Sequence, residues 1–267
     1  VGDLNADGEV DLVVGAYGYS TNTGRAYIFY NDGSIPTAAG SADVTITGNA
    51  TSDSFGNALI TGDLNADGEV DLAVGASGYS SSTGRAYIFH NDGSIPTTAG
   101  TADVTITGET TSDNFGVSLA TGDFNYDGEV DLTVGAYGYS SNTGRVYIFN
   151  NDGSIPTTAG TADTTISGST SSSYFGNPIR SGDLNADGKT DLVIGSWDSS
   201  TLLDHAYVFY NDGTYPSTAG SADKIYDGES TADDFSSSLA IADFNTDSIS
   251  DLIVGASGYS TNSGRIH

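Results

Sequence analysis

The sequence contains no cysteine, which excludes disulfides, thiolate metal sites and cysteine nucleophiles. Methionine is absent as well, even at position 1, and no signal peptide precedes the first motif. The chain therefore reads as a mature or excised piece of something longer. Basic residues are scarce: seven Lys and Arg face 35 Asp and Glu, for a formal net charge of -28. That balance disfavours a nucleic-acid partner, because phosphate neutralisation needs clustered Lys and Arg. It equally disfavours docking onto anionic lipid. No run approaches the roughly 20 apolar residues needed to cross a bilayer, so membrane insertion is not expected. Glutamate is also rare: five of the acids are Glu and the remaining 30 are Asp. Solvating acidity would use both, and Glu is the better helix former. Asp instead prefers turns and short oxygen-rich loops. With 36 Gly in addition, a helical protein is excluded and a turn-rich one expected.

What is present is a repeat. Asp3, Asp63, Asp123, Asp183 and Asp243 each open a related segment at a constant spacing of 60, and residues 62–121 share 42 of 60 identities with residues 122–181. Within residues 55–108, Asn57–Gly62 is a short apolar segment. The segment Val70–Ala76 alternates, with Val70, Leu72 and Val74 on one face. Arg85–Phe89 is aromatic and β-branched, and Asn91-Asp92-Gly93 is a turn signal. A Pro-bearing connection leads to Ala102–Thr107, a fourth alternating strand. Four short strands and no helix, repeated every 60 residues, predict an all-β chain: a β-propeller of four-stranded antiparallel blades. An open β-solenoid is the structural alternative, with repeats that are usually shorter. One propeller region spans 1–267, with a partial blade at 1–48, blades at 55–108, 115–168 and 175–228, and a partial blade at 235–267. The chain is cut mid-blade at both ends.

The first loop of each unit reads D-x-N-x-D-G-x-x-D in Asp3-Leu4-Asn5-Ala6-Asp7-Gly8-Glu9-Val10-Asp11. Oxygen side chains at positions 1, 3 and 5 can converge on one hard cation. Gly at position 6 permits the sharp turn, position 7 offers its carbonyl, and position 9 closes the shell. The expected Ca²⁺ sites are Asp3, Asn5, Asp7, Glu9, Asp11; Asp63, Asn65, Asp67, Glu69, Asp71; and Asp123, Asn125, Asp127, Glu129, Asp131. Two more follow in Asp183, Asn185, Asp187, Lys189, Asp191 and in Asp243, Asn245, Asp247, Ile249, Asp251. The bland alternative is a set of ordinary Asx-turns satisfied by backbone donors. An EF-hand is excluded, since position 12 is Val14, Val74, Val134, Ile194 or Val254 rather than Glu. Ser248 replaces the loop Gly in the fifth copy, which predicts a strained turn and the weakest site. Without an ion the carboxylates of each loop repel one another, so the metal-free chain is expected to be less stable.

Phe55-Gly56, the loop GDLNADGEVD and the segment LAVGA together resemble the FG-GAP repeat of integrin α-subunit propellers and their prokaryotic relatives. The core recurs at Phe115-Gly116 with Val134-Gly135-Ala136 and at Phe175-Gly176 with Ile194-Gly195-Ser196. Tyr17, Ser77, Tyr137, Trp197 and Ser257 stand where the family has proline, and Phe235-Ser236 loses a Gly. The resemblance implies a propeller with calcium in the loop between strands 1 and 2, up to five ions here. It also implies a partner-binding face at the opposite end, formed by the strand 2–3 and strand 4–1 loops. Carried over, the 2–3 loops are residues 17–25, 77–85, 137–145, 197–205 and 257–265. They bring Tyr17, Tyr19, Tyr79, Tyr137, Tyr139 and Tyr259 near one surface, where they bind a protein or glycan or else pack blade seams. In the fourth copy Trp197, Asp198, Asp204 and His205 replace the recurrent Tyr and Arg and mark a candidate partner site.

Three functions follow from these features. The first is an extracellular or cell-surface, calcium-stabilised, non-catalytic binding or adhesion module. The second is a self-assembling subunit of a surface fibre or sheath, whose incomplete end blades pair with neighbouring molecules. The third is a calcium-dependent lectin. An enzyme is disfavoured, because His90, His205 and His267 fall at unrelated depths of the repeat and no nucleophile or acid/base pair stands out.

Overall fold

A strand that is apolar on both faces needs cover on both sides, and this requirement organises the chain. Alternation placed Val70, Leu72 and Val74 on one buried face, yet in the computed structural model every residue from Asp71 to Ala76 is buried. The other face carries Asp71, Ala73 and Gly75, residues small enough to let a second sheet approach. The structure describes residues 1–198 and 203–267.

Five small antiparallel sheets follow one another. The first holds β1 (Leu12–Ala16), β2 (Arg25–Phe29) and β3 (Val44–Thr47). The second holds β4 (Phe55–Gly62), β5 (Asp71–Ala76), β6 (Arg85–Phe89) and β7 (Val104–Thr107). The third holds β8 (Leu119–Gly122), β9 (Asp131–Ala136), β10 (Arg145–Phe149) and β11 (Thr164–Ser167). The fourth holds β12 (Ile179–Gly182), β13 (Asp191–Ser196), β14 (His205–Phe209) and β15 (Lys224–Asp227). The fifth holds β16 (Phe235–Ala242), β17 (Asp251–Ala256) and β18 (Arg265–Ile266). Each is a meander in chain order, so the acidic loop and the 2–3 loop leave opposite ends of every blade. These are β-propeller blades. The expectation of no helix needs a small correction. Four-residue turns such as Tyr79–Ser82 and three-residue 3₁₀ turns such as Ala99–Thr101 occur among the described residues. The four-residue turns are not right-handed helix: Ser80, Ser81 and Ser82 have φ of 49°, 59° and 61°.

The core sits at the seams between sheets rather than within any one sheet. Strand 3 of the second copy reads Arg85-Ala86-Tyr87-Ile88-Phe89. Tyr87 and Phe89 point back into a cluster with Ala26, Ile28 and Ile46 of the first copy. Ala86 and Ile88 point forward into a cluster with Phe115, Val134, Tyr147 and Phe149 of the third. The same division recurs at the next two seams. Large residues of one blade thus fill the space left by small and β-branched residues of the blade before it. The motif phenylalanine is central to this packing. Phe115 is fully buried and meets Tyr147 and Phe149 edge-on, with ring centroids at 5.3 and 6.3 Å. Burying one such ring contributes about 1.5–3 kcal/mol.

The two motif glycines act as a pair across the seam. A Cβ on Gly75 would lie 2.0 Å from the carbonyl oxygen of Gly116, and Gly15 and Gly135 stand in the same relation to Gly56 and Gly176. Only glycine allows backbones this close. Gly116 in turn donates its N–H to the carbonyl of Gly135, 3.0 Å away in its own blade. The left-handed turns complete the stitch by aiming consecutive carbonyls at the next copy. Ser112 and Asn114 donate their N–H groups to Ser81 and Ser82 at 3.2 and 2.7 Å. Along the first strands, the hydroxyl of Thr121 donates to the carbonyl of Thr61, and Ser181 to that of Thr121.

Candidate functional site

The five acidic loops share one hydrogen-bonded geometry. In the first, Asp3 Oδ1 and Asn5 Oδ1 both accept the N–H of Asp7 at 3.1 Å, and Asp3 Oδ2 accepts that of Gly8. Asp7 Oδ1 accepts the N–H of Glu9 at 2.8 Å. The turn needs left-handed backbone at two places, position 4 (Ala6, φ 57°) and position 6 (Gly8, φ 93°). In the fifth copy Ser248 holds the latter with φ 71°, a strained conformation for a residue with a Cβ. Its Asn245 also departs from the set, turning Nδ2 to Asp251 Oδ1 rather than to its own Asp247.

The ninth-position aspartates also anchor the loop to the rest of the blade. Asp71 is fully buried, and its two oxygens accept the N–H groups of Leu64 and Asn91, both at 2.8 Å. It ties its loop to the connection after strand 3. Burial raises the carboxyls of Asp71 and Asp191, and pushes that of Asp131 up to about 6. Asp67, on the exposed side of the same loop, is held below the usual range by the N–H of Glu69 and the amide of Asn65.

The donor chemistry fits a hard cation: oxygens alone, with the position 1 and 3 oxygens already brought to one point. Among the described residues no group of three or more Asp, Glu or His side chains is gathered as a metal cluster. The reason lies in the bonding above, since Asp and Asn oxygens are turned onto loop N–H groups. Their second lone pairs are what a cation would use.

At the other end of the blades, the tyrosines expected to face a partner lie against arginines. The guanidinium of Arg25 sits 3.8 Å from the centre of the Tyr19 ring, Arg85 3.7 Å from Tyr79, Arg145 3.7 Å from Tyr139 and Arg265 5.0 Å from Tyr259. Tyr79, Tyr139 and Tyr259 also pack against the seam clusters. Tyr17 is exposed.

In the fourth copy the structure separates residues that the sequence placed together. Trp197 is 49% exposed, whereas Asp198 and Asp204 are buried. Asp204 Oδ1 accepts the N–H of Asp198 at 2.8 Å, and burial, with Asp233 and Asp234 nearby, pushes its carboxyl up to about 6. His205 pairs with Asp227 at 2.8 Å and lines a different cavity from Trp197. Ser199, Ser200, Thr201 and Leu202 of the expected 197–205 loop lie outside the described residues. Trp197 instead joins Tyr137, Tyr174 and Asn177 around a cleft. Sequence reasoning missed Tyr174 and Asn177. Lining up the copies column by column gives the signal for the first: Ser54, Asn114 and Asp234 occupy its place elsewhere.

The FG-GAP repeat family model matches residues 1–29, 55–89, 115–149 and 235–267. The chain belongs to the FG-GAP repeat family. The four matched segments begin at the motif Phe or just before an acidic loop. The fourth copy, whose 2–3 loop has lost the GYS…TGR sequence, lies outside them. Human phosphatidylinositol-glycan-specific phospholipase D is 33% identical over 227 residues, 76% of this chain and 26% of that protein. Integrin alpha-5 of Xenopus laevis is 30% identical over 224 residues, 76% of this chain and 20% of the integrin. Integrin alpha-PS2 of Drosophila melanogaster is 29% identical over 219 residues, covering 76% and 15%. The FG-GAP chain thus spans about a quarter or less of these relatives. No helix among the described residues is long and apolar enough to cross a membrane.

Proposed function

We propose that this FG-GAP chain is a calcium-stabilised, non-catalytic binding or adhesion module that works outside the cell or at its surface. The observation that carries the reading is the acidic loop, kept five times at a spacing of 60 with one turn geometry and an all-oxygen donor set. In each copy the side chains of positions 1, 3, 5 and 9 and the carbonyl of position 7 would hold the ion. In the first copy these are Asp3, Asn5, Asp7, Asp11 and Glu9. Bound calcium would neutralise carboxylates that otherwise repel one another within each hairpin. The ion's part is structural, for the loop residues are all engaged in the turn and no base or nucleophile stands beside them. Sites of this kind outside cells bind calcium at roughly 10⁻⁴–10⁻³ M, which suits the exterior and not the cytosol. Likeness to integrin alpha chains supports a binding role, and likeness to phosphatidylinositol-glycan-specific phospholipase D supports one that accompanies other domains.

Thermal unfolding tests the reading. At 5 mM Ca²⁺ and a dissociation constant of about 10⁻⁴ M, each filled loop adds about 2 kcal/mol to the folded state. The melting temperature should therefore rise clearly between EGTA and calcium buffers, and much less with Mg²⁺ at equal ionic strength. Identical melting in EGTA and in calcium would refute the proposal.

A further inference from the structure

The seam between the third and fourth copies departs from the other seams at its exposed end. Three positions decide what lies there: the third letter of the GAP element in each of two adjacent copies, and the residue before the motif Phe. At the first seam these are Tyr17, Ser54 and Ser77; at the second, Ser77, Asn114 and Tyr137. At the last they are Trp197, Asp234 and Ser257. Only the third seam has an aromatic residue at all three, Tyr137, Tyr174 and Trp197. Their rings form a continuous strip. Tyr137 and Tyr174 are 5.7 Å apart between centroids at 48°, and Tyr174 and Trp197 are 4.8 Å apart at 46°. The middle ring is fixed by Asn142, whose Nδ2 donates to the Tyr174 hydroxyl at 3.1 Å.

Asn177 supplies the polar partner. Its counterpart Asn57 in the second copy is committed to the seam: Nδ2 donates to the carbonyls of Gly116 and Val117, and Oδ1 accepts the N–H of Ser77 at 3.0 Å. In the fourth copy, where Pro178 follows, the Asn177 side chain is exposed, makes no hydrogen bond among the described residues, and lines the cleft instead. The cleft has a volume of about 260 Å³, and a second hollow continues past Trp197 and Pro178 to Asp234 and Ser237.

We propose that this cleft binds a neutral pyranose ring of a glycan, stacked on Tyr174 and Trp197 with its hydroxyls hydrogen-bonded to Asn177. A pyranose presents apolar C–H faces and a polar hydroxyl edge. The strip offers rigid ring faces that need little ordering on binding. A free amide offers both donors and an acceptor to neighbouring hydroxyls. Acidic sugars are opposed by the net charge of -28. A cation is less well served, because no carboxylate lines the cleft between the rings. The buried acids nearby are also engaged: Asp233 accepts the N–H groups of Glu229, Ser230 and Phe235, and Asp204 that of Asp198. The proposal rests on reading the chain as a binding module but not on its calcium loops.

Trp197 is the single tryptophan of the chain, so its fluorescence reports on the cleft alone. The full chain in calcium buffer is titrated with neutral trisaccharides built on glucose, mannose, galactose or N-acetylglucosamine. Sialyllactose, choline and arginine serve as charged comparisons. At least one neutral sugar should shift or quench the emission saturably. Asn177→Ala, at an exposed position, should weaken that sugar by about tenfold, and Tyr174→Ser should abolish saturation. Asn57→Ala should leave sugar affinity unchanged. No saturation by any neutral sugar at about 50 mM, where only affinities weaker than millimolar go undetected, would overturn the proposal. Saturation by choline, arginine or sialyllactose alone would overturn it too, as would full affinity in Asn177→Ala. Sugar binding that persists while EGTA leaves melting unchanged would remove the calcium reading and leave this one standing.

Discussion

Replacing Gly75 with alanine tests whether the blade seams limit stability. The new Cβ would stand 2.0 Å from the Gly116 carbonyl oxygen and 3.1 Å from its carbon. Carbon and oxygen settle at roughly 3.4 Å or more, so the seam must open by more than about 1 Å. Gly116 has little room to yield. Its φ is 85°, its N–H is bonded to Gly135, and its own Cβ position lies 2.4 Å from the Arg85 carbonyl oxygen. Overpacking against side chains costs about 1–3 kcal/mol, and a clash with fixed backbone belongs at the upper end of that range. For a chain of this size about 3 kcal/mol corresponds to a fall of about 6–12 °C in melting temperature. Gly40→Ala is the matched comparison, since nothing lies within 4 Å of its Cβ position. It should melt with the parent or up to about 4 °C above it, since alanine there meets no clash and lowers the entropy of the unfolded chain. Calorimetry on the three proteins in calcium buffer decides the matter. The reasoning fails if Gly75→Ala melts with the parent, or if Gly40→Ala falls as far.

Phe115→Ala should cost about 3–5 kcal/mol by leaving a cavity against Tyr147 and Phe149, as urea unfolding would report. Ser248→Gly should relieve the left-handed strain of the fifth loop and stabilise the chain by about 1 kcal/mol. A lower melting temperature in that variant would speak against the strain. Asp204→Asn tests the buried acid of the fourth copy. Folding raises this carboxyl from 3.8 to about 6, so its contribution is fully present below about pH 4 and lost as pH rises through about 6. The asparagine variant should match the parent at pH 4 and exceed it at pH 7.5, by about 3 kcal/mol at most. Equal stability of the two proteins at both pH values would contradict the shift.

The period of 60 made most of the fold legible, because each unit repeats its strand and turn signals in the same order. Arg85–Phe89 is a strand in the structure over the same residues that its aromatic and β-branched composition marks. The shared turn geometry of the acidic loops was legible for the same reason, since the spacing of their Asp, Asn and Gly residues is local. The seams were not. Alternation assigns Ala73 to an outer face, and only the approach of the third sheet shows why that face is also dry. The aromatic strip escaped sequence reading on similar grounds. Tyr137 and Tyr174 are 37 positions apart and meet because they sit on two consecutive blades. Asp198 and His205, near Trp197 in sequence, line a different cavity from it, with Asp198 buried and Trp197 exposed.

The glycine pairs at the seams make the copies interchangeable parts. Gly15 with Gly56, Gly75 with Gly116 and Gly135 with Gly176 present the same join, so a whole copy could be gained or lost with its neighbours still meeting correctly. At Gly195 a Cβ would instead meet Pro178 Cδ and Ser236 Oγ, at 2.7 and 3.1 Å. The fourth copy can therefore be neither shuffled nor duplicated without rebuilding a joint. In an array of near-identical blades it supplies a fixed point of reference, an origin from which every other blade acquires a place.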